Sequence, residues 1–123
     1  MRSLLIAACL ATFACASRTL PPIPAGLDVD SVPKQTVDMS AQKFEFRPAE
    51  VHVKAGTLVT LKVTATDVTH GIALADFGID ELLEPGVTKE IRFYVPAAGE
   101  HVFRCSHFCG MGHLGMKGRI IVE

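Results

Sequence analysis

The sequence predicts an antiparallel β-sandwich, and three observations carry that reading. Seven or eight short runs rich in β-branched and aromatic residues follow one another with polar–apolar alternation. Glycine and proline punctuate them at nearly every junction. Only residues 79–83 suggest a helical turn, whereas a parallel α/β sheet needs helices between its strands. With 123 residues the chain has room for one domain at most.

Taken in order, residues 1–17 read as an export signal. Arg2 is the only early charge, and the apolar run from Leu4 to Ala16 is shorter than the roughly 20 residues of a spanning helix. Ala14, Ala16 and Ser17 suit cleavage by a signal peptidase. Cys15 opens a second route, lipid attachment after cleavage before it, although Thr12-Phe13-Ala14 is a poor lipoprotein box. Cys9 is part of the apolar run. Residues 18–34, with Pro21, Pro22, Pro24, Gly26 and Pro33, read as a stiff linker. The domain is expected over residues 35–123.

Within it, 35–39, 43–46, 50–53 and 57–66 read as strands, followed by 70–74, 88–95, 100–104 and 119–122. Side chains alternate along a strand, so Val59, Leu61 and Val63 should oppose Leu58, Thr60 and Lys62, and Ile91, Phe93 and Val95 should share the inner side. Phe44, Phe46, Phe93 and Phe103 are expected in the core and Tyr94 on the outer face.

The formal net charge is −1 and no basic patch is evident, which argues against a nucleic-acid binder. Ser106 beside His107 is a neighbourhood in sequence and does not make a catalytic triad. No catalytic site of the chain's own, and no small-molecule substrate site, is legible.

Chemistry concentrates instead in residues 105–116, CSHFCGMGHLGM. Cys105, Cys109, His113 and Met116 fall at steps of four, four and three, so one tight loop can turn them to a common centre. Thiolate, imidazole and thioether together favour copper over hard cations. Gly110, Gly112, Gly115 and Gly118 are expected to supply the positive φ angles of such a wrap, and no regular helix is expected. Two alternatives stay open: a disulfide between the cysteines in an oxidising compartment, and a zinc site, in which Met116 has no role. A loop alone cannot saturate the metal. His70, opening a strand 35 residues before Cys105, is the candidate from across the fold, whereas His52 and His101 read as surface residues.

At these residues the chain resembles the dinuclear copper A (CuA) domain of subunit II of haem-copper cytochrome oxidases and of the C-terminus of nitrous oxide reductase. The family pattern is a histidine on one strand followed by C-x-x-x-C-x-x-x-H-x-x-M, matched by His70, Cys105, Cys109, His113 and Met116. DVTHGIAL and PAAGEHVFRCSHFCGMGH resemble the corresponding oxidase segments. The resemblance implies a cupredoxin-like Greek-key β-sandwich holding two copper ions. Cys105 and Cys109 would bridge the coppers, His70 and His113 would each bind one, and Met116 would be a weak axial ligand. A backbone carbonyl completes the family's site, from a position usually held by glutamate and here by His107. Asp67 resembles a family position beside the histidine ligand.

The implied function is one-electron transfer in an exported, periplasmic or outer-face protein, lipid-anchored if Cys15 is modified. The implied partners are redox proteins such as cytochrome c or a haem-copper oxidase. Copper storage or delivery with the same ligands is the alternative. Two departures stand out: there is no tryptophan, leaving Phe77 or Phe108 to take the place of the aromatic through which electrons arrive in many oxidases, and no acidic docking face for cytochrome c is obvious.

Overall fold

A computed structural model describes residues 19–123; the segment 1–17 read as an export signal, with Cys15, lies outside the described residues. Nine strands follow in order: β1 Lys34–Gln42, β2 Glu45–Arg47, β3 Glu50–Val53, β4 Thr57–Ala65, β5 His70–Leu74, β6 Ile79–Leu83, β7 Thr88–Val95, β8 Gly99–Arg104 and β9 Lys117–Val122. They form a four-stranded sheet, β2-β1-β4-β7, packed on a five-stranded sheet, β3-β9-β8-β5-β6.

Alternation builds the interior. In β4, Val59, Leu61, Val63 and Ala65 are fully buried, and Ile91, Phe93 and Val95 come in from β7, as their spacing predicts. From the facing sheet come Ile72, Leu74, Phe103, Ile120 and Val122. Phe46 meets Phe103 edge-on at 5.2 Å between ring centroids, and Phe77 meets Phe93 at 5.0 Å.

The sandwich is mixed where the sequence predicted antiparallel pairing throughout. β1 runs parallel to β4, and β3 parallel to β9. Between β1 and β4 the chain visits β2 and then β3 in the other sheet, a detour long enough to bring β4 back in the same direction. Strand spacing reports lengths, not neighbours. Residues 79–83 are a strand and not a helical turn. Five residues are too few to repay helix nucleation, and Gly78, at φ 63°, reverses the chain so that Leu74 faces Ile79 and His70 faces Leu83.

Residues 19–33 contain no strand but run against the sandwich. Leu20 N donates to the Asp76 carbonyl at 2.7 Å, Tyr94 N to Pro22 at 2.8 Å and Leu58 N to Pro33 at 2.8 Å. No helix among the described residues is long and apolar enough to cross a membrane.

Phe103 lies at the base of the loop that follows β8 and touches Phe46 across the core. Phe103→Ala is expected to cost about 3–5 kcal/mol, read from urea unfolding of the metal-free protein.

Candidate metal centre

The loop 105–116 is the connection of the β8–β9 hairpin. Cys105 N donates to the Met116 carbonyl at 2.9 Å, one rung beyond the last strand pair, Arg104 and Lys117. Inside this closure a single 3-10 turn, His113–Gly115, folds the chain back. Cys105 and Cys109 are free and buried, with their sulfurs 3.6 Å apart.

Each sulfur has its own company. Cys105 Sγ lies 3.8 Å from His70 Nδ1 and 3.2 Å from the His107 carbonyl oxygen. Cys109 Sγ lies 3.6 Å from His113 Nδ1 and 3.8 Å from Met116 Sδ. The donor atoms of His70, Cys105 and Cys109 all fall within 4.8 Å of one another. All six residues singled out in the sequence therefore converge. His107 contributes its main-chain oxygen to the cluster while its side chain faces outward and is exposed.

His70 is wholly buried and held from behind. Its Nε2 lies 2.7 Å from Asp67 Oδ1. Burial by itself would raise the Asp67 carboxyl, but the Lys43 amide at 2.7 Å, the His70 ring and the Val68 amide at 2.6 Å outweigh it and hold the group down at about 2. An ionised carboxylate only accepts, so the Nε2 proton belongs to that bond and the Nδ1 lone pair faces the thiols. Burial, reinforced by the neighbouring Cys105, pushes the Cys109 thiol up to about 11. The Cys109 thiol is thus kept protonated without a metal, and a soft cation is what converts it to the thiolate.

Two supports were not legible in the sequence. Ser106 Oγ donates to Asp80 Oδ1 at 2.6 Å, pinning the start of the loop to β6. Gly71 leaves the room: a β-carbon there would collide with Ser106 Oγ and approach the His107 nitrogen to 2.9 Å. On the other side Phe44 is not a core aromatic but a brace, 39% exposed, lying against Gly110 and Gly112. Of the four glycines expected to supply positive φ, only Gly110 does, at 136°; Gly112, at φ −91°, is small so that Phe44 can pack. Sequence alone gives no signal for either support, because 44 and 112, or 80 and 106, meet only after folding.

Around His113 the surface is apolar. Phe108 is 70% exposed, Met111 96% and Leu114 90%, and the Phe108 ring lies 5.6 Å from the His113 ring. Phe77, by contrast, is fully buried and has no access to a partner. His52 is a surface residue between Glu50 and Glu123, while His101 is only partly exposed and bonds Asp76 at 2.8 Å.

Residues 4–122 match the cupredoxin-like domain family. Over 101 residues, 81% of this chain, the protein is 33% identical to cytochrome c oxidase subunit 2 of Thermus thermophilus, spanning 75% of that sequence. It is 34% identical over 94 residues to nitrous-oxide reductase of Ralstonia nicotianae, matching 73% of this chain but only 15% of the reductase. In a haem-copper terminal oxidase dimer, one chain superposes with a TM-score of 0.69 at 28% identity, covering 76% of this chain and 67% of that one. The mixed β-sandwich, the hairpin loop with its paired thiols and these relatives together make the chain a member of the cupredoxin-like domain family, akin to the subunit II and nitrous-oxide reductase domains.

Proposed function

We propose that this protein is an exported carrier that passes one electron at a time through a dinuclear copper centre held by His70, Cys105, His107, Cys109, His113 and Met116, with a haem-copper oxidase as its redox partner. One observation carries the reading: two free thiols lie side by side, with His70 Nδ1 against one and His113 Nδ1 against the other. A single copper needs one thiolate, whereas a shared pair with an imidazole at each end suits two metals bridged by sulfur. The donor set fits copper in hardness as well as number. Relatives that are oxidase subunits support both the chemistry and the partner.

Copper held by His70, Cys105, His107, Cys109, His113 and Met116 would supply reversible one-electron chemistry. The chain's part is to keep the geometry fixed and dry. His70 cannot rotate while Asp67 holds Nε2. Met116 is 1% exposed, and both cysteines are buried in the core cluster that also holds Phe46 and Phe103, so water is kept from the sulfurs. Ser106 and Phe44 restrain the loop from opposite sides. Such restraint keeps the reorganisation accompanying electron transfer small.

Metal analysis of the purified full chain is expected to find two coppers per molecule and a purple oxidised form; one copper with a blue-copper spectrum contradicts the proposal. Cys105→Ser or Cys109→Ser should each abolish that colour, since either thiolate is needed as a bridge. Met116→Leu should keep both coppers and shift the reduction potential, measured by redox titration. His107→Glu retains the carbonyl, so both coppers and nearly the same absorption are expected, while His70→Ala should disturb the spectrum strongly. Asp67→Ala should lower stability of the metal-free protein by about 1–3 kcal/mol and broaden the visible bands of the loaded form, because three donors lose their acceptor and His70 loses its orientation.

A further inference from the structure

Along the loop 105–116 the anchors are few. Its ends are joined by the bond from Cys105 N to the Met116 carbonyl, and its second half rests on Phe44 through Gly110 and Gly112. Among the described residues, one side-chain hydrogen bond ties the loop to the sandwich outside the donor cluster itself: Ser106 Oγ donates to Asp80 Oδ1 at 2.6 Å. A hydroxyl donating to a carboxylate has its strong range at about 2.5–2.7 Å. Asp80 makes no ion pair among the described residues, although Arg104 stands in the same row of the sheet with Ala73 between them. The carboxylate goes to the loop rather than to a cation.

What this bond holds is the peptide between Ser106 and His107. From beneath, that peptide lies against the main chain of Gly71, so closely that a β-carbon there would approach the His107 nitrogen to 2.9 Å and collide with Ser106 Oγ. Asp80 holds it through the Ser106 hydroxyl. Residue 107 has no anchor of its own, since its side chain is exposed and makes no hydrogen bond among the described residues. Its main-chain oxygen, one peptide further on, nevertheless lies 3.2 Å from Cys105 Sγ. It reaches the sulfur only while the Cα of His107 stands where the anchored peptide puts it.

We propose that Asp80 is a positioning residue of the metal centre, acting through Ser106 to hold the His107 main-chain oxygen against Cys105. The inference rests on the proposed copper-binding reading and adds to it a residue of β6 that bonds no candidate ligand directly. Its part is geometric: the Ser106 hydroxyl needs an acceptor, and the negative charge of that acceptor is incidental. Without the bond, residues 106–108 lift from Gly71 and carry the oxygen donor away from Cys105. Oxygen is a hard donor that favours the oxidised metal over the reduced one, so its loss raises the reduction potential.

The full chain is compared with Asp80→Ala, Ser106→Ala, the two combined, and Asp80→Asn. In the metal-free proteins, carbon-13 NMR with labelled histidine carbonyls reads the His107 oxygen directly, because a carbonyl that loses its donor changes its shift. Both alanine variants should move that signal in the same sense. Asp80→Asn should leave it in place, since an amide oxygen still accepts from the hydroxyl. In the copper-loaded proteins, each alanine variant should give up copper to a competing chelator about tenfold more readily and show a higher reduction potential. The combined variant should be no worse than either alone, because both changes remove one bond. Asp80→Asn should match the parent throughout.

Alanine variants that leave the His107 carbonyl signal and copper retention unchanged overturn the proposal. An asparagine variant as impaired as the alanine ones overturns it too, because charge and not the bond would then be the active element. A parent chain that takes up no copper overturns the copper reading instead. The carbonyl signals are recorded without metal and still decide whether Asp80 positions residue 107, so the two failures are separable.

Discussion

Because Cys105 N donates to the Met116 carbonyl at 2.9 Å, the β8–β9 ladder persists past its last strand pair and ties the two ends of the twelve-residue loop together. Everything at the site follows from that closure. A loop with fixed ends has few ways to arrange its interior, and here the 3-10 turn at His113–Gly115 brings His113 back toward Cys109 while Met116 is drawn under the thiols. The cost of ordering such a loop is met by its surroundings: Phe44 beneath Gly112, Ser106 on Asp80, and the buried aromatic pair Phe46 and Phe103 below.

A second balance lies in burial. Thiols placed away from water resist ionisation, and Cys109 is pushed up to about 11 for that reason first and for its closeness to Cys105 second. The same shielding that disfavours bare thiolates strengthens their hold on a soft cation once it arrives, since no water competes for the metal. Asp67 works in the opposite sense. It keeps its negative charge because two amides and an imidazole converge on it, and that charge fixes His70, the one candidate ligand side chain that comes from outside the loop.

The candidate site was legible because it is nearly contiguous: Cys105, Cys109, His113 and Met116 lie in one loop, and His70 joins them through the pattern it completes. Strands 50–53, 57–65 and 88–95 were legible because one face of each is the more buried, which imposes alternation. What escaped depends on contacts between distant residues. The parallel pairing of β1 with β4 is a matter of which strand lies beside which. Phe44 looks like a core aromatic by composition and is a brace by position. Gly112 looks like a turn residue and Gly71 like an ordinary strand position, yet each is small because a particular side chain must pass close by. Residues 79–83 have a composition compatible with a helical turn, and only pairing with β5 decides their conformation.

The central claim is that the two thiols are shared between two metals. Electron paramagnetic resonance of the oxidised, copper-loaded protein addresses it most directly, because hyperfine splitting counts the copper nuclei that share the unpaired electron. The account predicts splitting from two equivalent copper nuclei. Splitting from one copper nucleus alone, with the second thiol unligated, would contradict it.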